Sequence, residues 1–254
     1  MVERTSYEPA MPSWVDVGTP DTQAAAAFYG ELFGWTAEID PRPEAGGYGV
    51  FTLRGKRVAG IGPQMNPEMP PVWNLYVTVT DVDDALQRVT DAGGTVVAGP
   101  IDVLDAGRMG VLQDRTGSYF SVWQANKVIG AELVNEVGTF GWNELATTDL
   151  AAARDFYQSV FGWGLDPAGS NDSTAIFTVG GRVVCGAHTA GEGEFPAWSV
   201  WFTVADCDSD ATRITELGGA ILVPPFDMGF GRGAVVADPQ GAAFGIAAVE
   251  APTD

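Results

Sequence analysis

The chain has 254 residues and a formal net charge of −20, from 13 basic and 33 acidic side chains. It is 46% hydrophobic and 18% charged, so it carries enough apolar side chain to bury a core and does not read as a disordered segment. A field this negative repels polyanions, which argues against nucleic acid and against an anionic membrane surface as partners, and leaves neutral or cationic small molecules open.

No apolar run reaches the roughly 18 residues that a membrane-spanning helix needs. The opening segment, Met1 to Pro9, lacks the apolar centre of a signal peptide. Cys185 and Cys207 are the two cysteines and form no CxxC pair, so no disulfide framework is expected. These features predict a soluble cytoplasmic protein.

In chain order, Val15–Val17 reads as a short strand. Asp21 is placed to cap a helix whose buried face is Ala25, Phe28, Tyr29 and Leu32, at i, i+3, i+4 and i+7. Gly34 falls where a left-handed cap ends such a helix. Strand-like runs follow at Tyr48–Leu53 and Val58–Ile61, with Gly55 in the turn, and at Leu75–Val79. Asp81 opens a second helix with Val82, Ala85, Leu86 and Val89 on one face. Further strands are expected at Thr95–Ala98, near Gly110–Leu112 and at Tyr119–Trp123.

The same order then recurs. Trp14–Trp35 and Trp142–Trp163 match at ten of 22 positions with an offset of 128 and no gap. Phe51–Gly60 aligns with Phe177–Gly186, and Trp73–Asp83 with Trp198–Asp208. Two domains are therefore expected, at 10–126 and 138–250, joined by a linker at 127–137. Each contains two β-α-β-β-β modules.

Three marks carry a family resemblance, and each occurs in both halves. They are Phe28-Tyr29-x3-Phe33-Gly34-Trp35, the helix start Thr80-Asp81-Val82-Asp83, and the turn Asp114-x2-Gly117. The chain thus resembles the vicinal-oxygen-chelate superfamily of glyoxalases, bleomycin-resistance proteins and extradiol dioxygenases, and in particular its tandem two-domain actinobacterial type. The resemblance implies an α+β fold of two tandem glyoxalase-like domains. Four β-α-β-β-β modules would form curled mixed sheets around pockets.

The resemblance also implies where a divalent metal would be held: seven residues before each helix-opening Asp, and four after the turn Gly. Here those places are Trp14, Asn74 and Ser121, and then Trp142, Ser199 and Gly245. Trp and Gly offer no ligand atom, and neutral Asn or Ser binds Zn or Fe weakly. The one histidine of the chain, His188, is at none of them. No metal and no cofactor are expected.

Stepping by two along each strand extends the same inward face. Trp14, Asn74, Tyr76, Ser121 and Trp123 are expected to line the first pocket, with Trp142, Ser199 and Trp201 in the second. Aromatic walls with a few polar anchors suit a planar organic ligand, and they equally suit a core that fills itself. Asp16 and Glu144 are equivalent in the repeat and are the candidate acid–base groups, with His188 a third at the start of a loop. Arg108 and Arg232, also equivalent, are expected to pair with acids of their own domain or to hold an anion. Tyr76 against Trp201 and Trp123 against Ala247 imply that the two pockets differ.

The expected function is metal-independent binding of an aromatic, polyketide-like small molecule of secondary metabolism, with acid–base transformation left open. The alternatives are a drug-sequestering protein of the bleomycin-resistance type and a metal-dependent lyase or dioxygenase. A monomer is expected, its two domains packed as a pseudo-dimer.

Overall fold

The computed structural model describes residues 2–249; Met1 and residues 250–254, including the expected domain limit Glu250, lie outside the described residues. A short strand β1 (Val2–Glu3) precedes the first domain. That domain runs β2 (Pro12–Thr19), α1 (Thr22–Phe33), β3 (Thr36–Ile39), β4 (Gly49–Leu53), β5 (Lys56–Pro63), β6 (Val72–Thr78), α2 (Val82–Asp91), β7 (Thr95–Val103), β8 (Gly107–Gln113) and β9 (Tyr119–Ala125). After β10 (Leu133–Val134), the second domain repeats this order. It runs β11 (Phe140–Thr147), α3 (Leu150–Phe161), β12 (Gly164–Leu165), β13 (Thr174–Val179), β14 (Arg182–Thr189), β15 (Ala197–Thr203), α4 (Cys207–Glu216), β16 (Ala220–Asp227), β17 (Gly231–Ala237) and β18 (Ala243–Val249).

Each domain is one curled eight-stranded sheet, ordered β3-β4-β5-β2-β6-β9-β8-β7 and β12-β13-β14-β11-β15-β18-β17-β16. Within a module the first strand pairs parallel to the last, as β2 with β5 and β6 with β9. The two modules of a domain meet through the antiparallel pair β2 and β6. This places both first strands at the centre of the sheet, where residues at alternate positions face the cup.

The second strand of each first module, β3 and β12, belongs to the expected β-α-β-β-β order but was not located in the sequence. Both are short and mostly exposed, so neither shows an apolar alternation. The capping expectations hold. Asp21 accepts from the backbone N–H groups of Gln23 and Ala24, and Gly34 sits at φ 72°. Asp149 and Gly162 repeat the arrangement.

The helices carry their apolar faces into the contact between domains. Phe33, Trp73 and Phe244 gather around Phe202, with ring centroids 4.9–5.8 Å apart. On the far side of the pseudo-twofold, Phe120 packs against Phe156, Tyr157 and Phe161 at 5.7–6.1 Å. Such ring pairs contribute about 0.5–1.5 kcal/mol each beyond the area they bury. The two indoles that end the helix marks also cross over: Trp35 Nε1 donates to the carbonyl of Gly138 at 2.7 Å, and Trp163 Nε1 to that of Ala10 at 2.8 Å. The domains therefore pack as the two halves of a pseudo-dimer. Among the described residues no helix is long and apolar enough to cross a membrane.

Candidate functional site

The two cups are built on equivalent positions and filled in opposite ways. In the first, register sets Asp16 on β2 opposite Asn74 on β6 and Gly60 on β5. Its carboxyl accepts from Asn74 Nδ2 at 2.8 Å, Tyr76 Oη at 2.8 Å and Tyr48 Oη at 3.0 Å. Trp14 Nε1 donates to Tyr48 Oη at 2.9 Å. Asp16, Trp14, Tyr76, Ser121 and Trp123 are all buried. Trp123 Nε1 donates to the Val128 carbonyl at 2.8 Å.

Burial is the largest influence on Asp16 and raises its pKa, against the lowering effect of its three donors. The same burial, and then the Asp16 charge, raise both tyrosines well above the ordinary phenol range. In the first cup the buried Asp16 carboxyl is thus held by three neutral donors of its own domain.

Tyr48 is one of these donors, and sequence reasoning missed this residue. The signal was available in Gly60 and Gly62. Both lie on the cup face of β5, and a Cβ at Gly60 would collide with the Tyr48 hydroxyl, while one at Gly62 would come 2.9 Å from the ring.

The second cup replaces these parts one by one. Glu144 occupies the place of Asp16 and faces Gly186, which the repeat aligns with Gly60. A Cβ at Gly186 would run into the Glu144 carboxylate. His188 stands where the first domain has Gly62, and no tyrosine covers it. Trp142 Nε1 donates to Glu144 Oε2 at 2.7 Å, and His188 Nδ1 lies 3.2 Å from Glu144 Oε1. His188 Nε2 lies 3.0 Å from Glu194 Oε1. The Glu144 and His188 side chains keep 21% and 32% of their surface exposed to solvent.

The contact with Glu144 is the main influence that raises His188, to about 9. The imidazole is thus protonated at neutral pH and lies between two carboxylates. His188 was expected at the start of a loop; it lies within β14, because the parallel pairing with β11 continues through Ala146 opposite His188. Glu194, from the following loop, was not among the expected residues.

Trp201 lies over Gly245, whose missing side chain makes the space. Its Nε1 donates to Ser199 Oγ at 3.0 Å, and Ser199 donates to the Glu144 carbonyl at 3.1 Å. Trp142, Ser199 and Trp201 are all half-buried, whereas Trp14 and Tyr76, the counterparts of the two tryptophans, are buried. Arg108 and Arg232 stand away from both carboxyls. Arg108 pairs with Asp83 and Asp102, at 2.7 and 2.8 Å, and Arg232 with Asp208 at 2.5 Å.

A divalent metal of the kind the fold family uses does not fit these residues. Among the described residues no group of three or more His, Cys, Asp or Glu is arranged to hold one. The register positions carry Trp14, Asn74, Ser121, Trp142, Ser199 and Gly245. The Asp16 oxygens are already taken by neutral donors, and the Trp201 ring occupies the space over Gly245.

Fold and repeat define a class, and comparison with known proteins agrees with it. The chain belongs to the Glyoxalase/Bleomycin resistance protein/Dioxygenase superfamily, which residues 139–246 match under that description, while residues 14–123 match the glyoxalase-like domain. Among particular relatives, the anthracycline biosynthesis protein DnrV of Streptomyces peucetius is 39% identical over 95% of this chain and 94% of its own length. CFP32 of Mycobacterium tuberculosis, provisionally named a glyoxylase, is 41% identical over 97% of both chains. The Mn(II)-bound glyoxalase of Novosphingobium aromaticivorans has a similar fold, with a TM-score of 0.66 and 16% identity, covering 95% of this chain and 83% of that one.

Proposed function

We propose that the chain binds a planar aromatic, polyketide-type molecule in the cup of the second domain and moves a proton on it without a metal. The observation that carries this reading is the partly exposed Glu144–His188 contact at 3.2 Å, on a strand whose Trp142 is paired by register with Trp201. An imidazolium and an indole N–H hold the Glu144 carboxylate in one orientation, which suits a general base. His188, protonated at neutral pH, is the matching acid. Trp142 and Trp201 supply flat apolar walls for a ring system. The relationship to a protein named for anthracycline biosynthesis supports an aromatic polyketide as the ligand class.

In this reading the first cup is structural. Its carboxyl is matched by three donors, and Tyr48 fills the space that a ligand would need. The −20 charge suits a ligand that is neutral or cationic.

The test is a panel of polycyclic aromatic ketones titrated against tryptophan fluorescence, using protein dialysed against a chelator, with product analysis on the tightest binder. Quenching and a product from metal-free protein are expected. A stoichiometric bound metal that activity requires would overturn the metal-free part. Tight binding with no product would leave a sequestering protein instead.

A further inference from the structure

A second site lies outside both cups. A cleft of about 270 Å³ opens where the N-terminal segment and the linker strand β10 cross the start of the second domain. Tyr7, Phe140 and Trp142 give it aromatic walls, and Val134, Val183 and Val184 line it with aliphatic groups. Three polar side chains break this apolar lining, Arg4, Asn135 and Asn143, and Asn135 is exposed.

Arg4 and Asn143 are short of partners. Asn143 is 1% exposed, and its Oδ1 has no hydrogen-bond partner. Arg4 is half-buried, its Nε is buried without an acceptor, and among the described residues its guanidinium has no carboxylate. The acids on the neighbouring segments are already matched: Glu3 with Lys56, Glu8 with Arg182, and Glu132 with Arg57. The Tyr7 hydroxyl is spent on the Ala131 carbonyl at 2.7 Å, so Tyr7 offers the cleft a ring rather than a donor. A buried polar group without a partner is costly, so two among the residues lining one cleft point to a ligand that completes them.

We propose that this cleft binds a small hydroxylated aromatic carboxylate. Its carboxylate meets the Arg4 guanidinium, which is suited to a planar anion. Its hydroxyl donates to Asn143 Oδ1, and its ring lies among Tyr7, Phe140 and Trp142. The site is separate from the Glu144 cup, although Trp142 borders both: its indole N–H holds Glu144, and its ring also lines the cleft. Occupancy is therefore visible in tryptophan emission.

The experiment titrates the full chain with 2-, 3- and 4-hydroxybenzoate and with the corresponding neutral hydroxybenzamides, by fluorescence and calorimetry. At least one hydroxybenzoate is expected to bind, and its amide to bind at least about tenfold more weakly. Arg4→Gln is expected to raise the hydroxybenzoate Kd about tenfold. Trp201→Phe, at a residue outside the cleft lining, is expected to leave that Kd unchanged. Arg4 is half-buried near the start of the chain, so its substitution is compatible with folding, and the acid–amide comparison needs no variant at all. Absence of binding by all three acids, equal binding of acid and amide, or a Kd that responds to Trp201→Phe and not to Arg4→Gln would each overturn the proposal.

Discussion

The Tyr29 hydroxyl donates to Oδ2 of Asp238, 209 residues away and in the other domain, at 3.0 Å. Tyr157 repeats the contact with Asp114 at 2.8 Å. Each aspartate uses its other oxygen to hold its own turn, Asp238 through the N–H groups of Gln240 and Ala242, and Asp114 through those of Thr116 and Ser118. Two of the family marks, the tyrosine of the helix and the aspartate of the turn, are thus bonded to each other across the domain interface. Their joint recurrence in both halves follows from this pairing.

Tyr29→Phe is therefore expected to destabilise the whole chain. It strands a buried carboxylate oxygen and leaves Trp73 Nε1, which donates to Tyr29 at 2.9 Å, without an acceptor. The expected loss is about 1–3 kcal/mol in urea unfolding, and Tyr157→Phe should lose a similar amount. A loss below about 0.5 kcal/mol for both would mean that the crossed pairs do not hold the domains together.

Gly60→Ala and Gly186→Ala separate the two cups. At Gly60 the added methyl meets the Tyr48 hydroxyl inside a closed network, which should cost about 1–3 kcal/mol. At Gly186 it displaces the Glu144 carboxylate in an open cup, so the expected loss of stability is smaller and the loss falls on ligand turnover. Equal effects of the two variants on stability and on turnover would contradict the division of roles.

The sign of the His188 shift fixes a pH dependence. Its folded value is raised to about 9 from 6.5, so the stability it contributes is fully present below pH 6.5 and is lost as pH rises through 9. Thermal melting from pH 6 to 10 should fall over that window, and His188→Gln should flatten the fall. Direct titration of the ring by NMR checks the same claim. A midpoint near 6.5 would show that Glu144 and Glu194 do not hold the proton.

The sequence carried the architecture because the repeat writes each element twice and the capping residues recur with it. Asp21 and Asp149 start equivalent helices, and Gly34 and Gly162 end them. It carried the equivalence of Asp16 and Glu144 because β2 and β11 keep one register. The contents of the cups were less legible. Tyr48 reaches Asp16 from 32 residues away, just before the strand it was expected to open, and its inward turn is marked only by the glycines opposite. Glu194 comes from an exposed loop, where no periodicity constrains a side chain. Both residues are fixed by contacts that form only once the sheet has curled.

The central claim is that Glu144, and not Asp16, does the proton transfer. It is tested most directly by single-turnover rates on metal-free protein, using the tightest-binding aromatic ketone of the panel. Glu144→Gln is predicted to slow the chemical step about 10²–10⁴-fold while ligand affinity changes little. A Glu144→Gln rate within about threefold of the unsubstituted chain, on protein that binds the ligand normally, would contradict it.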